Sequence, residues 1–297
     1  MNESPSSYRA GHVAIVGRPS VGKSTLLNAL IGARISITSK KPQTTRYRIT
    51  GILSEPQRQF AFVDTPGFQT RNRSPLNERL NRAVRDTLAA VDAVIWVVDA
   101  HRLTEADRAV ATLLPSGVPI VVAVNKIDQR KDKAALLGLL AQISALRDFA
   151  AIVPVSAERG TQLRELKDEI AKLLPRSPPL YSDSDLTDRD ERFLAGEFIR
   201  EKIFRLLGEE VPYATTVAID QFEERGALRR VRATVYVDKP GQRAILLGAA
   251  GAQMKAIATQ ARADMERVFG GTVYLEVWVK VKRGWAHDDA QLTRFGY

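Results

Sequence analysis

A lysine and a hydroxyl residue set just behind two glycines can grip a chain of phosphates and its accompanying metal ion. The run Gly17-Arg-Pro-Ser-Val-Gly22-Lys23-Ser24-Thr25 has that arrangement. Its glycines let backbone N–H groups wrap an anion, the Lys23 ammonium reaches the terminal phosphates, and the Ser24 hydroxyl is a metal ligand. Gly17, Ser20, Val21, Gly22, Lys23, Ser24 and Thr25 are therefore the candidate phosphate cradle. Downstream, Asp64-Thr-Pro-Gly67 offers a carboxylate for a Mg²⁺ shell and a glycine N–H for a γ-phosphate oxygen. Further on, Asn125-Lys126-Ile-Asp128 offers a carboxylate that can accept two hydrogen bonds from guanine, at its ring N–H and its amine. Adenine would leave that pair unmet, and a site built for paired polar contacts rejects such an analogue. Asn125 would hold the loop, the Lys126 stem would cover the base, and the N–H of Ala157, after Ser156, would meet the guanine carbonyl.

These groups have to sit at the ends of buried strands to converge. Val13–Val16, Ile49–Ser54, Gln59–Asp64, Asp92–Asp99, Ile120–Val124 and Ala151–Val155 read as strands, several of them continuously apolar. Lys23–Ile31, Leu76–Ala89, Glu105–Leu113, Lys133–Leu146 and Leu163–Leu174 read as helices between them. The alternation predicts a mostly parallel six-stranded sheet covered on both faces, with ligands at the carboxyl ends of the strands. Ser36–Arg46 is a polar stretch without apolar periodicity. Its Thr44-Thr45 pair, taken alone, reads first as part of a solvated connecting loop, and second as a source of a metal-ligating hydroxyl.

A proline-rich stretch, 176–188, reads as a linker, with Thr187 as a helix cap at its end. The remainder orders as α-β-β-α-α-β: a helix over Arg192–Leu207, strands over Thr215–Phe222 and Leu228–Val237 with Glu223–Gly226 as the turn, then a helix interrupted at Gly248-Ala249-Ala250-Gly251 and a strand at Val273–Val281. That order, with G-x-x-G between paired helices, is the layout of a KH module, whose turn clamps single-stranded nucleotides. Gly248, Ala249, Ala250, Gly251, Lys255, Lys280 and Lys282 are the candidate RNA-binding residues. Lys239 and Arg243, like Lys255, read equally as phosphate-facing cations or as a solvated face, Arg283 adds to a basic edge with Lys280 and Lys282, and Trp285 either stacks on a base or packs. The expected domains are 8–175, nucleotide-binding, and 189–297, a smaller α+β KH-type unit.

The bulk numbers agree. With 297 residues, 44% hydrophobic and 26% charged, the chain is an ordinary globular protein too long for one average domain. It contains no cysteine, which excludes a disulfide framework or a cysteine metal site. The start, Met1–Ser7, lacks the apolar core of a signal peptide, and no apolar run approaches a membrane span. The net charge of +10 suggests a polyanionic partner.

The motifs in this order resemble the Era family of GTPases. Lys41-Pro-Gln-Thr-Thr-Arg46 before Ile49-Thr-Gly-Ile52 looks like its switch I, Asp64-Thr-Pro-Gly-Phe68 like its switch II, and Trp278–Trp285 like its C-terminal domain. The resemblance implies a P-loop GTPase domain with Mg²⁺ held by Ser24, Thr45 and Asp64, and Lys23, Thr45 and Gly67 as the catalytic set. It also implies GTP hydrolysed to GDP, binding of small-subunit ribosomal RNA near its 3′ end, and assistance to the assembling small subunit. A cytoplasmic monomer without DNA contacts is expected, with peripheral contact to the inner membrane. Two departures stand out. Ser20 replaces an asparagine that in relatives helps to hold K⁺, which puts potassium stimulation in doubt. Gly248-Ala-Ala-Gly251 replaces Gly-Lys-Gly-Gly and loses a phosphate-facing cation. Phe68 stands where many GTPases carry a water-orienting glutamine, a hydrophobic substitution the family shares, so slow hydrolysis is expected. A constitutive RNA-binding adaptor with structural nucleotide is the second reading; an ATPase would require Asp128 to be irrelevant.

Overall fold

The computed structural model describes residues 7–39, 41–68, 74–208 and 210–297. Residues 1–6 of the polar start and Lys40 of the switch-like stretch therefore lie outside the described residues. The chain forms two compact units. One comprises Met1–Ser36, Thr45–Asn72 and Leu80–Asp188; the other comprises Ile37–Thr44, Arg73–Arg79 and Arg189–Tyr297.

The first unit is built on a six-stranded sheet with the order β2-β3-β1-β4-β5-β6. The strands are β1 (Arg9–Val16), β2 (Ile49–Glu55), β3 (Arg58–Asp64), β4 (Ala93–Asp99), β5 (Ile120–Asn125) and β6 (Ala151–Val155). Only β2 runs antiparallel, against β3. Because side chains alternate across a strand, β4 sends Ala93, Ile95 and Val97 to one core and Val94, Trp96 and Val98 to the other. The first core is closed by Leu26, Leu27 and Ile31 of α1 (Lys23–Ile31) and by Leu166 and Ile170 of α5 (Leu163–Leu173). The second is closed by Val84 of α2 (Pro75–Leu88), Val110 of α3 (Glu105–Ala111) and Leu139 of α4 (Lys133–Ser144). Burial on both faces is why these strands read as unbroken apolar runs. Register places Ile15 beside Asp64, Asp99 beside Asn125 and Asn125 beside Val155, so the polar residues that end the strands share one edge of the sheet.

Residues 176–188 are tied to this unit. Thr50 N–H donates to Asp188 Oδ1 at 2.9 Å, Ile52 N–H to the Leu186 carbonyl at 2.9 Å, and Gln59 Oε1 accepts the N–H groups of Leu180 and Tyr181. The proline-rich composition thus marks an extended segment laid along β2 and β3 rather than a tether with its backbone in water.

The second unit carries α6 (Glu191–Leu206), α7 (Glu210–Tyr213), β7 (Thr215–Arg225), β8 (Leu228–Val237), α8 (Pro240–Leu247), α9 (Ala252–Phe269), β9 (Thr272–Val281) and α10 (Asp289–Arg294). Its sheet has the order β7-β8-β9, antiparallel then parallel. Phe198, Ile199 and Ile203 of α6 and Ile257, Ala261 and Met265 of α9 cover Val231, Ala233 and Val235. Two expectations are corrected here, the cap of α6 and the turn between β7 and β8. The cap of α6 is Asp190, which accepts from the Phe193 N–H at 2.8 Å, rather than Thr187. The β7–β8 turn is Gly226-Ala227, because Glu223, Glu224 and Arg225 pair with Arg230, Arg229 and Leu228 and continue the ladder. Helix α8 begins at Pro240, the fixed φ of proline suiting a first helical turn. Among the described residues no helix is long and apolar enough to cross a membrane.

Candidate functional site

The loop from Gly17 to Gly22 joins β1 to α1, and Gly22 caps that helix in the left-handed region, with φ 98°. The Lys23 side chain is buried, and its Nζ donates to the Arg18 carbonyl at 3.0 Å. Burial is the main cause that lowers its pKa to about 8; Asp64 opposes the shift and Arg18 adds to it. The Arg18 guanidinium is held by Asp107 at 3.0 Å. Asp107 also completes the capping box of α3 with Thr104, so the loop is anchored to a helix that the sequence motif does not include.

Next to Lys23, three hydroxyls gather on one carboxylate oxygen. Asp64 Oδ2 accepts from Ser24 Oγ at 2.7 Å, Ser36 Oγ at 3.0 Å and Thr45 Oγ1 at 3.4 Å, and the Ser24 and Thr45 hydroxyls are 2.7 Å apart. Asp64 Oδ1 is buried with no hydrogen-bond partner. Burial raises the pKa of this carboxyl above the usual carboxylate range, against the pull of Lys23 and the three hydroxyls. A buried carboxylate oxygen without a donor, beside two hydroxyls, suits a small hard cation such as Mg²⁺. Thr44 turns away, bonding the Lys41 carbonyl and Ser39 Oγ, each at 2.8 Å. Geometry thus separates the two threonines in the sense that the family resemblance implies, with Thr45 on the cluster. Gly67 lies so close to the phosphate loop that a Cβ there would stand 2.9 Å from Pro19 Cα.

At the other end of the loop, Asn125 Nδ2 donates to the Val21 carbonyl at 2.9 Å, and its Oδ1 accepts the N–H groups of Lys126 and Ala157. Asp128 Oδ1 accepts from Ser156 Oγ at 2.6 Å. Lys126 Nζ reaches the Ser20 carbonyl and Asp99 Oδ2, both at 2.8 Å. Asp99 is buried, which alone would raise its pKa, but hydrogen bonds from Lys126 and His101 hold it at about 2. Asp99, Ser36 and Asp107 escaped the motif reading. Asp99 had a signal, as the charged residue closing the most apolar strand of the chain.

In the second unit, Gly248 to Gly251 form a single tight turn between α8 and α9. Gly248 has φ 70°, and a Cβ would meet Gln253 Cβ at 2.7 Å. Ala249, Ala250 and Lys255 are exposed, the last on the first turns of α9. Lys280 is exposed on β9, whereas Lys282 follows that strand with its Nζ over the rings of Tyr236 and Phe295. Lys239 and Arg283 are also exposed, and Arg243 Nε donates to the Val279 carbonyl at 3.3 Å. Trp285 packs: it is fully buried, donates to the Ala214 carbonyl at 3.0 Å and meets Phe295 and Tyr297.

Family models match both units: a 50S ribosome-binding GTPase over residues 12–126 and a KH domain over residues 210–286. The chain is 52% identical to GTPase Era of Chromobacterium violaceum over 296 residues, covering all of this chain and 99% of that protein. The chain belongs to the Era family of GTPases. Era of Xanthomonas axonopodis pv. citri is 49% identical over the full length of both. Among solved structures, Era in complex with MgGDPNP and nucleotides 1506–1542 of 16S ribosomal RNA superposes with a TM-score of 0.94 at 34% identity, covering 98% of this chain and 99% of that one. A variant of Aquifex aeolicus Era bound to GDP·AlF4⁻ gives 0.93 at 34% identity, covering 97% and 99%. In this Era-family chain Phe68 packs against the apolar layer of β4 and α2. Its ring has no group with which to hold a water.

Proposed function

We propose that this chain is a slow GTP-hydrolysing switch that binds small-subunit ribosomal RNA near its 3′ end and assists assembly of the small ribosomal subunit. The observation that carries the reading is its likeness, over nearly the whole chain, to an Era crystallised with MgGDPNP and nucleotides 1506–1542 of 16S ribosomal RNA. The Ser24–Thr45–Asp64 cluster supports the catalytic half. Ser24, Thr45 and Asp64 would hold Mg²⁺, which supplies charge neutralisation at the β- and γ-phosphate oxygens. Lys23 and the loop N–H groups stabilise charge on the phosphates, and the Gly67 N–H meets a γ-oxygen as water attacks in line. Among the described residues no side chain is identified as a general base. Asp128 accepts from guanine, fixed by Ser156; Asn125 ties the base loop to the phosphate loop; Lys126 lies over the base with its head on Asp99.

The working domains are 8–175 for nucleotide and 189–297 for RNA, with Gly248–Gly251 and Lys255 clamping the strand. Ser20 removes an amide that would help to hold K⁺. The site of action is the cytoplasm, with peripheral contact to the inner membrane. Phe68 favours one second reading, an RNA adaptor with negligible turnover. Steady-state phosphate release in Na⁺ and in K⁺, with and without an RNA carrying the 3′ end of the small-subunit rRNA, separates the two. Slow release is the expected result, and none in any condition leaves the adaptor.

A further inference from the structure

We propose that the solvent-facing side of the β7–β8–β9 sheet is a second binding surface, a stacking platform for single-stranded RNA distinct from the Gly248–Gly251 turn. The proposal rests on the RNA-binding reading above and extends it. The inner side of this sheet carries Val231, Ala233, Val235 and Val273 into the core. Alternation sends Tyr274, Glu276, Trp278 and Lys280 of β9 to the other side, paired in register with Arg230, Arg232, Thr234 and Tyr236 of β8. Trp278 is 62% and Tyr274 49% exposed, among the most exposed large apolar side chains of the described residues.

Two aromatic faces four residues apart on one strand stand about 13 Å apart, a span that takes two bases of an extended strand. Cations border both. The Arg230 guanidinium lies 5.5 Å from the Tyr274 ring centre, and Lys280 lines the same shallow depression as Trp278, with Arg232, Thr234, Gln221 and Asp220. The carboxylates of this face already have partners: Glu276 accepts from Arg232 and from the Tyr274 hydroxyl, each at 2.9 Å, Glu223 pairs with Arg225 at 2.9 Å, and Asp220 accepts from Thr234 at 2.6 Å. Arginine and lysine beside an exposed Trp278 ring and a half-exposed Tyr274 ring, the latter with Arg230 over it, match a backbone of phosphates carrying flat bases. Base–aromatic stacking tolerates any sequence, so the surface would add affinity without adding specificity.

The tryptophans supply a reporter. Trp96 and Trp285 are fully buried, so an RNA that quenches tryptophan emission reports on Trp278. The full chain and its Gly251→Asp variant, which places a negative charge in the G-x-x-G clamp, are titrated with dodecamers of adenylate and of glutamate. The platform predicts that oligoadenylate quenches emission in both proteins, and that adding Trp278→Leu to Gly251→Asp weakens the remaining binding, read by the anisotropy of a dye-labelled oligoadenylate, ten- to a hundredfold while Trp278→Phe restores it. RNA binding by the native chain that vanishes with Gly251→Asp, without quenching, removes the platform and leaves the RNA reading intact. Equal quenching by oligoglutamate overturns the assignment to RNA. No binding of RNA by the native chain under any condition overturns the underlying reading itself. Circular dichroism of each variant confirms that the fold is retained.

Discussion

Lys23 is buried and has a pKa of about 8, so near neutral pH it sits close to its own titration. A phosphate placed against Nζ favours the charged form, so nucleotide binding should take up a proton above pH 8. Affinity should fall as pH rises through that value, because the free protein then presents a neutral amine. At pH 8.5 the expected uptake is roughly three-quarters of a proton per nucleotide, read by calorimetry in two buffers of different ionisation enthalpy. Equal heats in the two buffers would show that the ammonium is already charged. Ser20 offers a second test at this scale. It has φ 64°, a conformation that asparagine adopts more readily than other side chains, and it is exposed. Ser20→Asn should therefore fold without strain, and phosphate release should become faster in K⁺ than in Na⁺. If the two salts remain equivalent, the amide is not what relatives use.

At the scale of elements, the α8–α9 turn carries a local cost. Ala250 stands at φ 48° and ψ 29°, where an L residue with a Cβ is disfavoured. Ala250→Gly should stabilise the protein by about 0.5–1 kcal/mol, seen as a higher urea midpoint with unchanged slope. Ala249→Lys should strengthen RNA binding and steepen its salt dependence by about one unit of log–log slope, measured by binding at several ionic strengths. The packing of α6 on α9 encloses a charged group: the buried ammonium of Lys202 lies between Glu201 and Asp264. Lys202→Ala, which leaves two buried carboxylates without it, should cost about 3–5 kcal/mol in urea unfolding, and Lys202→Met with Asp264→Leu distinctly less. Strands buried on both faces and the glycine-punctuated motifs were legible in the sequence, because each imposes a composition on a short window. The bounds of β7 were not: charged residues sit comfortably in a strand whose outer face meets water, so Glu223–Arg225 resembled a turn. Nor was the docking of residues 176–188 visible, since it depends on Gln59 and Thr50, far away in the chain. Composition did not tell Thr45 from Thr44; the family resemblance did, and the backbone aims their hydroxyls accordingly.

At the scale of the whole molecule, the chain passes from one compact unit to the other between Ser36 and Ile37 and returns between Thr44 and Thr45. Thr45 touches the Ser24–Asp64 cluster, whereas the Thr38 N–H donates to Glu201 of α6 at 2.9 Å within the second unit. One short segment therefore carries a residue of the Ser24–Asp64 cluster at one end and an anchor on the second unit near the other. Glu201→Gln should reduce any difference in RNA crosslinking between the GDP-bound and GTP-analogue-bound forms, with nucleotide affinity unchanged; a difference as large as in the native chain would show that Glu201 carries none of it. The order of strands in the second sheet adds a consequence in time. β7 and β8 are joined by two residues and can meet as a hairpin within microseconds. β9 pairs with β8 only after α8 and α9 have been laid across the sheet, a long-range closure that is intrinsically slow. Trp278 and Tyr274 come to stand beside Arg230 and Arg232 only at that last step. Pulse-labelled hydrogen exchange should therefore find the amides of the β7–β8 hairpin protected before those that pair β8 with β9, so that this face of the sheet is completed last.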